Sequence, residues 1–316
     1  MTSPNTRCAG TPSRFPPKPP TQKWEILPCH LGGGARDLGA FNSRTVGVVV
    51  PNLCDPFFTT FAQAILDVGK KHGYFVLLTT SLEDLDMKHR QVSLLLRQQV
   101  DGLVIIPRFG TDLDYGGDAF SGIHLVSIEE PAVNSRFDSV LLPNRSGVKA
   151  GVEHLIGHGH RSIAFLGLNP RLNRMKARYE GYREAMLEAG YPPEPYIDCE
   201  SPERTVALIS SMTNSKNLPT AFFAANDLTI LYVLHALSAM AIDVPRQIAV
   251  AGFDDFEMAD VLPPSLTVIR QPVYHLGEVA ANLLFQRISG SDVLREGHRV
   301  VLPFELIVRS SCGCQP

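Results

Sequence analysis

The chain lacks any apolar stretch long enough to cross a membrane. Within its 316 residues, no run approaches the roughly 20 apolar residues that a membrane-spanning helix needs. The N-terminus is polar and rich in proline, and it has no apolar core of the kind found in signal peptides. We therefore predict a cytoplasmic protein that has no membrane partner.

The sequence also lacks the short motifs of several enzyme classes. The G-x-S-x-G turn of serine hydrolases does not occur, and neither do the G-x-x-x-x-G-K-[ST] and G-x-G-x-x-G loops that bind phosphates. No other arrangement of nucleophile, base and acid is recognisable. We expect a protein that is not an enzyme and that carries no cofactor.

The six cysteines contain no C-x-x-C pair. Cys312 and Cys314 form the only close pair, and one intervening residue is poor spacing for a structural zinc site. His154 and His158 are four residues apart, but the H-E-x-x-H motif of zinc enzymes is absent. The sequence thus predicts reduced thiols and no metal site.

The chain as a whole has no excess of positive charge with which to bind nucleic acid. The chain carries −3 overall, but residues 1–43 contain five Lys or Arg and only two Asp or Glu. Any nucleic-acid contact is therefore expected near the N-terminus. Seven prolines in the first 28 residues prevent a sustained helix. Residues 1–43 are predicted to form a disordered tail rich in proline and glycine, with a hinge-like segment near 35–43.

Strand patterns alternate with helical patterns along the rest of the chain. Residues 45–50 have the pattern of a buried strand, and residues 57–72 have that of a helix ended by Gly73. Ser146 is predicted to cap a later helix. This alternation predicts an α/β fold with doubly wound parallel sheets, and the length indicates about two lobes.

One strand-helix-strand pattern, residues 221–252, ends both of its strands on polar groups. Asn226 follows the first apolar run, and Asp254 follows the second. Because the carboxyl ends of parallel strands face the ligand crevice, both side chains can point at one ligand. Asn226 can instead cap the helix, and Asp254 can be an ordinary turn residue. Both alternatives stay open at this point.

Seven segments, taken in order, carry a resemblance to a known family. They are T-V-G-V-V-V-P-N-L-C-D-P-F-F from Thr45, V-D-G-L-V-I-I-P from Val100, G-V-E-H-L-I-G-H-G-H-R-S-I-A-F-L-G from Gly151, R-Y-E-G-Y-R-E-A-M from Arg178, F-F-A-A-N-D, V-A-G-F-D-D-F, and L-T-V-I-R-Q-P from Leu266. Their order and spacing resemble the LacI/GalR family of bacterial transcriptional regulators over about residues 35–316.

The resemblance implies a periplasmic-binding-protein-like fold of type I, with two doubly wound parallel-sheet lobes and a ligand cleft between them. The chain would cross between the lobes three times. The N-terminal lobe would contain residues 44–143 plus 272–299, and the C-terminal lobe 144–271 plus 300–316. The implied function is that of a DNA-binding regulator, a repressor and homodimer, whose core senses a small-molecule effector such as a sugar or nucleoside.

The resemblance also implies effector-binding residues. Arg178 matches an arginine that holds the effector, and Asp254 matches an effector-binding aspartate. The guanidinium can donate two parallel hydrogen bonds to hydroxyls or to a base edge, whereas the carboxylate can accept them. For Arg178 the simpler reading is a solvated helix arginine. For Asn226 the two alternatives remain a ligand contact and a helix cap.

Three further residues complete the implied site. Phe57 and Phe58 match a pair that stacks against the ligand, since aromatic faces suit sugars and flat bases alike. Core packing is the alternative, and we expect it for one of the two. Glu130 aligns with an aspartate near the cleft, and its longer side chain departs from the family pattern.

The N-terminus departs from the family, whose members open with a helix-turn-helix. Residues 1–30 show no such pattern, yet Arg36 and Leu38 align with the family's hinge segment, in which a leucine wedges into the minor groove. We expect a truncated or mis-started product, or an effector-only variant, with weak or no DNA binding. The alternative function is that of a stand-alone periplasmic-type sugar-binding protein for transport, against which the missing signal peptide counts.

Overall fold

The computed structural model of the chain describes residues 43–107, 120, 122–131, 136–213, 218–290 and 296–314. These residues form two sheets of six strands each, with helices on their faces, which confirms the predicted α/β fold. The predicted tail up to residue 42, including Arg36 and Leu38, lies outside the described residues. None of the helices that the structure describes is both long enough and apolar enough to cross a membrane.

The first lobe is built on a wholly parallel sheet. Its strands are Thr45–Val50 (β1), Phe75–Thr80 (β2), Gly102–Ile105 (β3), His124–Ile128 (β4), Asp138–Leu141 (β5) and Arg299–Val301 (β11). They lie in the order β11-β5-β4-β3-β1-β2. The helices of this lobe are Pro56–Lys71 (α1), Leu85–Arg97 (α2) and Val273–Ile288 (α7). Helices α1 and α7 pack against each other.

The second lobe repeats this architecture with one antiparallel edge. Its strands are Ile163–Gly167 (β6), Ile197–Asp198 (β7), Ala221–Ala224 (β8), Ala249–Phe253 (β9), Thr267–Arg270 (β10) and Glu305–Ile307 (β12). They lie in the order β12-β10-β9-β8-β6-β7, and β12 alone runs antiparallel to its neighbour. The helices are Asn144–Gly157 (α3), Asn173–Glu188 (α4), Pro202–Thr213 (α5) and Asp227–Ala239 (α6).

The described chain passes between the two sheets three times. The passages lie between β5 and α3, between β10 and α7, and between β11 and β12. The third differs from the predicted boundary at residue 299, because Val300 and Val301 still pair with strand β5 of the first sheet. Residues 300–308 read as mostly apolar strand material, and strand pairing shows where within them the chain changes sheets.

Local signals set both ends of helix α1, which stops before Gly73 as predicted and starts at Pro56, one residue before the predicted start. The carboxylate of Asp55 accepts a hydrogen bond from the Phe57 amide at 2.8 Å, and Pro56 occupies the first helical position. Gly73 follows the helix with a φ of +72°, a conformation in which a side chain would be strained. Helix α1 therefore enters the space between the lobes with its N-terminus.

Helix α3 begins three residues earlier than predicted. Its first residue is Asn144, and the hydroxyl of Ser146 donates to the Pro143 carbonyl instead of capping the helix. The predicted capping role of Ser146 is therefore wrong. Because the helix starts at Asn144, the amide side chain of that residue is buried at the edge of the space between the lobes.

Helices α3 and α4 approach each other closely at Gly181. A Cβ atom at this position would lie 2.1 Å from the Arg145 carbonyl oxygen, which is far inside van der Waals contact. Only glycine permits this spacing. The close approach brings Arg178, one turn earlier on α4, against Asn144 at the start of α3.

Candidate functional site

A cavity of about 570 Å³ lies between the two lobes. Clefts of this size hold drug-sized or metabolite-sized molecules. The first lobe contributes wall residues that include Asn52, Asp55, Phe58 and Glu83. The second lobe contributes wall residues that include Leu172, Arg174, Asn226, Asp227, Leu231 and Phe256.

The cavity lies where parallel strands end and helices begin. Asn52 follows β1, Leu168 follows β6, and Asn226 follows β8, and all three line the cavity. In open α/β sheets ligands bind in the crevice outside the carboxyl ends of the strands, where the strand order reverses. The position of the cavity therefore follows from the strand order.

Arg178 is a buried residue that packs behind the cavity wall. The residue is 2% exposed, so the reading as a solvated helix arginine is wrong. Its Nε donates to Asn144 Oδ1 at 2.7 Å, and its Nη1 donates to the Ala225 carbonyl at 2.6 Å. The guanidinium also stacks on Phe253 at 3.9 Å from the ring centre. Arg178 thereby holds the strand end that precedes Asn226.

Asp254 joins this support from the end of β9. Its Oδ2 lies 3.4 Å from Arg178 Nη1, and its Oδ1 accepts a hydrogen bond from Gln271 Nε2. Its φ of +80° is unusual for a residue other than glycine and sets the direction of the side chain. Neither Arg178 nor Asp254 forms part of the wall of the 570 Å³ cavity, so their direct contact with a ligand stays a prediction.

Asn226 lines the cavity and also caps helix α6. Its Oδ1 accepts from the Thr229 amide at 3.3 Å and from the Thr229 hydroxyl. The alternative that Asn226 is a helix cap is therefore confirmed. A ligand contact by its amide nitrogen, which lies 3.5 Å from Asp227 Oδ1, stays a prediction.

The two phenylalanines of α1 have different positions. Their rings meet edge to face with centres 5.1 Å apart, and both belong to the core of the first lobe. Phe58 also forms part of the cavity wall, whereas Phe57 does not. Phe57 thus belongs to the core alone, whereas Phe58 also borders the cavity, and ligand contact by either ring stays a prediction.

Glu130 lies away from this cavity. It lines a second cavity of about 480 Å³, on the other side of Arg174, together with Glu129 and the start of α3. The neighbouring Glu129 is the glutamate that turns inward: its side chain is buried, and its Oε2 lies 3.9 Å from Arg174 Nη1. Burial raises the pKa of Glu129, and Arg174 opposes that rise.

Arg174 is the central charged residue between the lobes, and its role was not predicted. It belongs to helix α4 of the second lobe, lines both cavities, and pairs with Glu83 of the first lobe at 2.5 Å. A sequence signal was available, because Arg174 and Arg178 are four residues apart and share one face of a helix.

Two carboxyl groups in the cavity wall have strongly raised pKa values. Burial raises the pKa of Asp55 to about 7, and the nearby charges of Asp227 and Asp254 add to the rise. Burial and the charge of Asp254 raise the pKa of Asp227 to about 6. Desolvated carboxyls of this kind gain from ligand groups that donate hydrogen bonds.

The wall suits a neutral molecule with several hydroxyl groups. Asp55, Glu83 and Asp227 offer acceptors, Arg174 offers donors, and Phe58 offers an apolar face. An anionic ligand would face three carboxyl groups, which opposes its binding. Two lobes, three connecting passages and a polar cavity at the strand ends define a small-molecule-binding protein of the periplasmic-binding-protein-like class.

Comparison with known proteins agrees with this class. The family model described as a periplasmic binding protein-like domain matches residues 152–312. The ribose operon repressor of Halalkalibacterium halodurans is 28% identical over 282 residues, covering 88% of this chain and 82% of the repressor. The chain belongs to the periplasmic-binding-protein-like family, as the core of a LacI/GalR-type transcriptional regulator.

Two solved structures with sugars are similar to this chain. The complex of the transcriptional regulator CelR with cellobiose is 28% identical, with a TM-score of 0.75 and 85% of each chain covered. A LacI family transcriptional regulator from Enterococcus faecium, solved with bound ribose, is 25% identical, with a TM-score of 0.73. That similarity covers 84% of this chain and 98% of the other.

Proposed function

We propose that this protein is a sugar-sensing repressor of the LacI/GalR type and that its effector binds in the 570 Å³ cavity between the lobes. The observation that carries the proposal is the wall chemistry, in which Asp55, Glu83, Asp227 and Arg174 surround a space that Phe58 borders. Hydroxyl groups of a sugar can donate to the carboxyls and accept from the arginine. The ribose and cellobiose found in two similar regulators support this ligand class.

The proposed signal is a change in lobe arrangement. Arg174 of the second lobe is paired with Glu83 of the first, and both residues line the cavity. An effector that contacts both lobes binds one arrangement more tightly than another and shifts the equilibrium toward it. Only this difference in affinity can be passed on to a second site, such as operator DNA.

The first experiment is a thermal-shift screen of the purified chain against monosaccharides, disaccharides, nucleosides and nucleobases. A ligand at 100 times its dissociation constant stabilises the folded state by about 2.7 kcal/mol, which corresponds to a shift of roughly 5 °C. A saturable shift with one sugar supports the proposal. A shift with a nucleobase alone would support a small-molecule sensor but would rule out a sugar as its effector. No shift across the panel would reject the proposed ligand class.

A cavity-filling variant tests whether the ligand found in the screen binds in the cavity between the lobes. Leu231 on α6 is 43% exposed and lines the cavity, so Leu231→Trp fills the space and leaves buried packing in place. We expect at least a tenfold loss of affinity by calorimetry. Leu187→Trp, on an exposed part of α4, is the matched control and should bind normally. Equal affinity in both variants would place the ligand elsewhere.

Arg178 is a poorer target for this test. Its guanidinium bonds to Asn144, to Ala225 and to Asp254, and it is almost fully buried. Removing it leaves the partly buried Asp254 carboxylate without its charged partner and the Ala225 carbonyl without its donor, which destabilises the fold. Lost binding in Arg178→Ala would therefore combine unfolding with loss of a contact.

Dimer formation belongs to the same proposal. The edge strand β2 exposes Phe75 (76%) and Leu77 (39%), and exposed apolar side chains on a sheet edge favour pairing with another chain. We expect sedimentation analysis to show a dimer. Phe75→Arg should shift the protein toward monomer, and an unchanged dimer in that variant would move the interface to another face.

Operator binding is proposed from the relatives, and it implies a cytoplasmic location. It can be measured as fluorescence anisotropy of the full chain on the DNA that flanks its own gene, with and without the sugar found in the screen. Affinity that changes with the sugar supports a regulator. The absence of binding at low salt would leave this chain a sensor without its own DNA contact, as expected from residues 1–30.

A further inference from the structure

Four metal-binding side chains meet at the end of helix α3 that is remote from the cavity. His154 comes from the last turn of α3, His158 is the C-cap residue of that helix, and Cys312 and Cys314 come from the end of the chain. The nearest donor atoms of His154, Cys312 and Cys314 all lie within 4.8 Å of one another. His158 adjoins the group through Cys314.

Three of the four donors, His154, Cys312 and Cys314, are mutually at coordination spacing, and His158 approaches Cys314 alone. His154 Nε2 lies 3.3 Å from Cys312 Sγ and 3.4 Å from Cys314 Sγ. His158 Nε2 lies 3.1 Å from Cys314 Sγ, and the two sulfur atoms are 3.0 Å apart. Zinc bonds of about 2.3 Å to sulfur and about 2.0 Å to nitrogen place tetrahedral donors roughly 3.3–3.8 Å apart. Small outward shifts of the sulfurs would therefore accommodate an ion, and His158 would complete the four ligands by turning toward it.

The fold brings the histidine pair and the cysteine pair together, although neither pair by itself is enough for a zinc site. One residue between Cys312 and Cys314 is poor spacing for a site made from a single loop, and two histidines alone are not enough. The fold supplies one pair from a helix and the other pair from a segment 158 residues away. The two half-sites complete each other only in the folded lobe.

The surroundings favour a cation. The donors of α3 lie at its C-terminal end, where the helix dipole is negative. Thr267 Oγ1 lies 3.1 Å from Cys312 Sγ and can donate to a thiolate, as outer partners of metal ligands commonly do. Cys312 is buried, whereas Cys314 is partly exposed and His158 is exposed, so an ion can enter from solvent.

We propose that His154, His158, Cys312 and Cys314 form a tetrahedral site for Zn²⁺ or a similar soft divalent cation. Two imidazoles and two thiolates are a donor set that selects such ions over Mg²⁺ or Ca²⁺. The ion would tie helix α3 to the chain end that packs beside β9 and β10. His154 is ten residues along the helix from Asn144, or about 15 Å, so the site stabilises the second lobe without touching the effector.

The experiment uses the full chain, reduced and stripped with a chelator, and cobalt(II) as the optical probe. Tetrahedral cobalt with thiolate ligands shows intense visible bands and a near-ultraviolet sulfur charge-transfer band, which octahedral cobalt lacks. We expect these bands to saturate at one equivalent and to disappear when Zn²⁺ is added. Zn²⁺ should also raise the melting temperature of the stripped protein.

Variants assign the bands to the site. Cys314→Ser and His158→Gln change exposed or partly exposed residues, and each should weaken cobalt binding at least tenfold. Cys54→Ser and His275→Gln change an exposed thiol and an exposed imidazole elsewhere, and both should bind cobalt as the parent does. Circular dichroism melts of the stripped proteins check that every variant is folded.

Three results would overturn the proposal. The first is a folded, reduced protein that shows no sulfur-to-cobalt band. The second is a band that survives the double variant Cys312→Ser/Cys314→Ser, since its ligands would then come from the remaining cysteines, Cys8, Cys29, Cys54 and Cys199. The third is a Cys312–Cys314 disulfide, detected as a loss of two mass units, that persists in reductant and excludes the ion.

Discussion

Arg174 Nη2 lies 2.5 Å from Glu83 Oε1, and this contact links the second lobe directly to the first. The two residues belong to different sheets and both border the cavity. The arginine side chain is mostly buried and the glutamate partly so, which strengthens the pair relative to one in free solvent. Both residues line the cavity, so in the proposed function this pair is the contact through which ligand binding changes the lobe arrangement.

The first prediction concerns this pair. Glu83→Gln removes the charge that faces Arg174, and we expect a loss of about 1 kcal/mol in urea unfolding, because the partly exposed pair is screened by water. Small-angle scattering should show a larger radius of gyration, since the lobes separate more easily. Glu180→Gln, which breaks an exposed pair with Arg183, is the control and should change neither measurement. An unchanged Glu83→Gln protein would mean that the lobes are held by other contacts.

The second prediction concerns the pH dependence of the ligand-free protein. The pKa of Asp55 rises from an ordinary value of 3.8 to about 7 in the fold, mainly through burial. The folded state therefore holds a proton that the unfolded state releases, and stability falls as the pH rises from about 4 to about 7. Asp55→Asn removes this proton, so the loss of unfolding free energy between pH 5 and 8 should shrink by about 2 kcal/mol.

Asparagine caps helices about as well as aspartate, so α1 should keep its N-terminus in Asp55→Asn. The matched control is Asp84→Asn at the exposed cap of α2, where the pH dependence should stay as in the parent. If Asp55→Asn kept the full pH slope, the carboxyl of Asp55 would have to be solvated in the folded protein.

The third prediction concerns the contact between α3 and α4. A Cβ at Gly181 would meet the Arg145 carbonyl at 2.1 Å, so Gly181→Ala must push the helices apart. We expect a loss of about 3 kcal/mol in urea unfolding, as for other overpacked sites. Gly157→Ala is the matched control, because nothing lies within 4 Å of its added Cβ. Alanine there should be neutral or stabilising by about 0.5 kcal/mol.

Gly181→Ala should also weaken effector binding, because the same contact holds Arg178 against Asn144. Titration of the sugar identified in the screen would measure this effect. A variant with normal stability and normal affinity would show that the helices are further apart than in this structure.

Much of the fold was predictable because it depends on neighbours in the chain. The strand pattern of β1, the helix start at Asp55 and Pro56, and the stop at Gly73 are properties of a few consecutive residues. Phe222 and Phe223 fill a strand pattern and are fully buried. The placement of Asn226 after β8 was predictable for the same reason, since a strand end is visible as the end of an apolar run.

Other features depend on which segments meet, and the sequence alone could not decide them. Periodicity does not distinguish whether Glu129 or Glu130 faces inward, because the left-handed backbone of Glu129, φ +66°, sets the direction of the chain there. Only strand pairing shows that Val301 belongs to the first sheet and Glu305 to the second.

Local patterns of apolar residues, helix caps and turns determine the order of strands and helices. They also determine which polar residues follow the strand ends. Which charges and ligands become neighbours is decided only when the lobes pack. Arg174 meets Glu83 across 91 residues, and His154 meets Cys312 across 158. Local patterns act within a few residues, whereas contacts at such separation form only when the whole lobe has excluded water and fixed its helices.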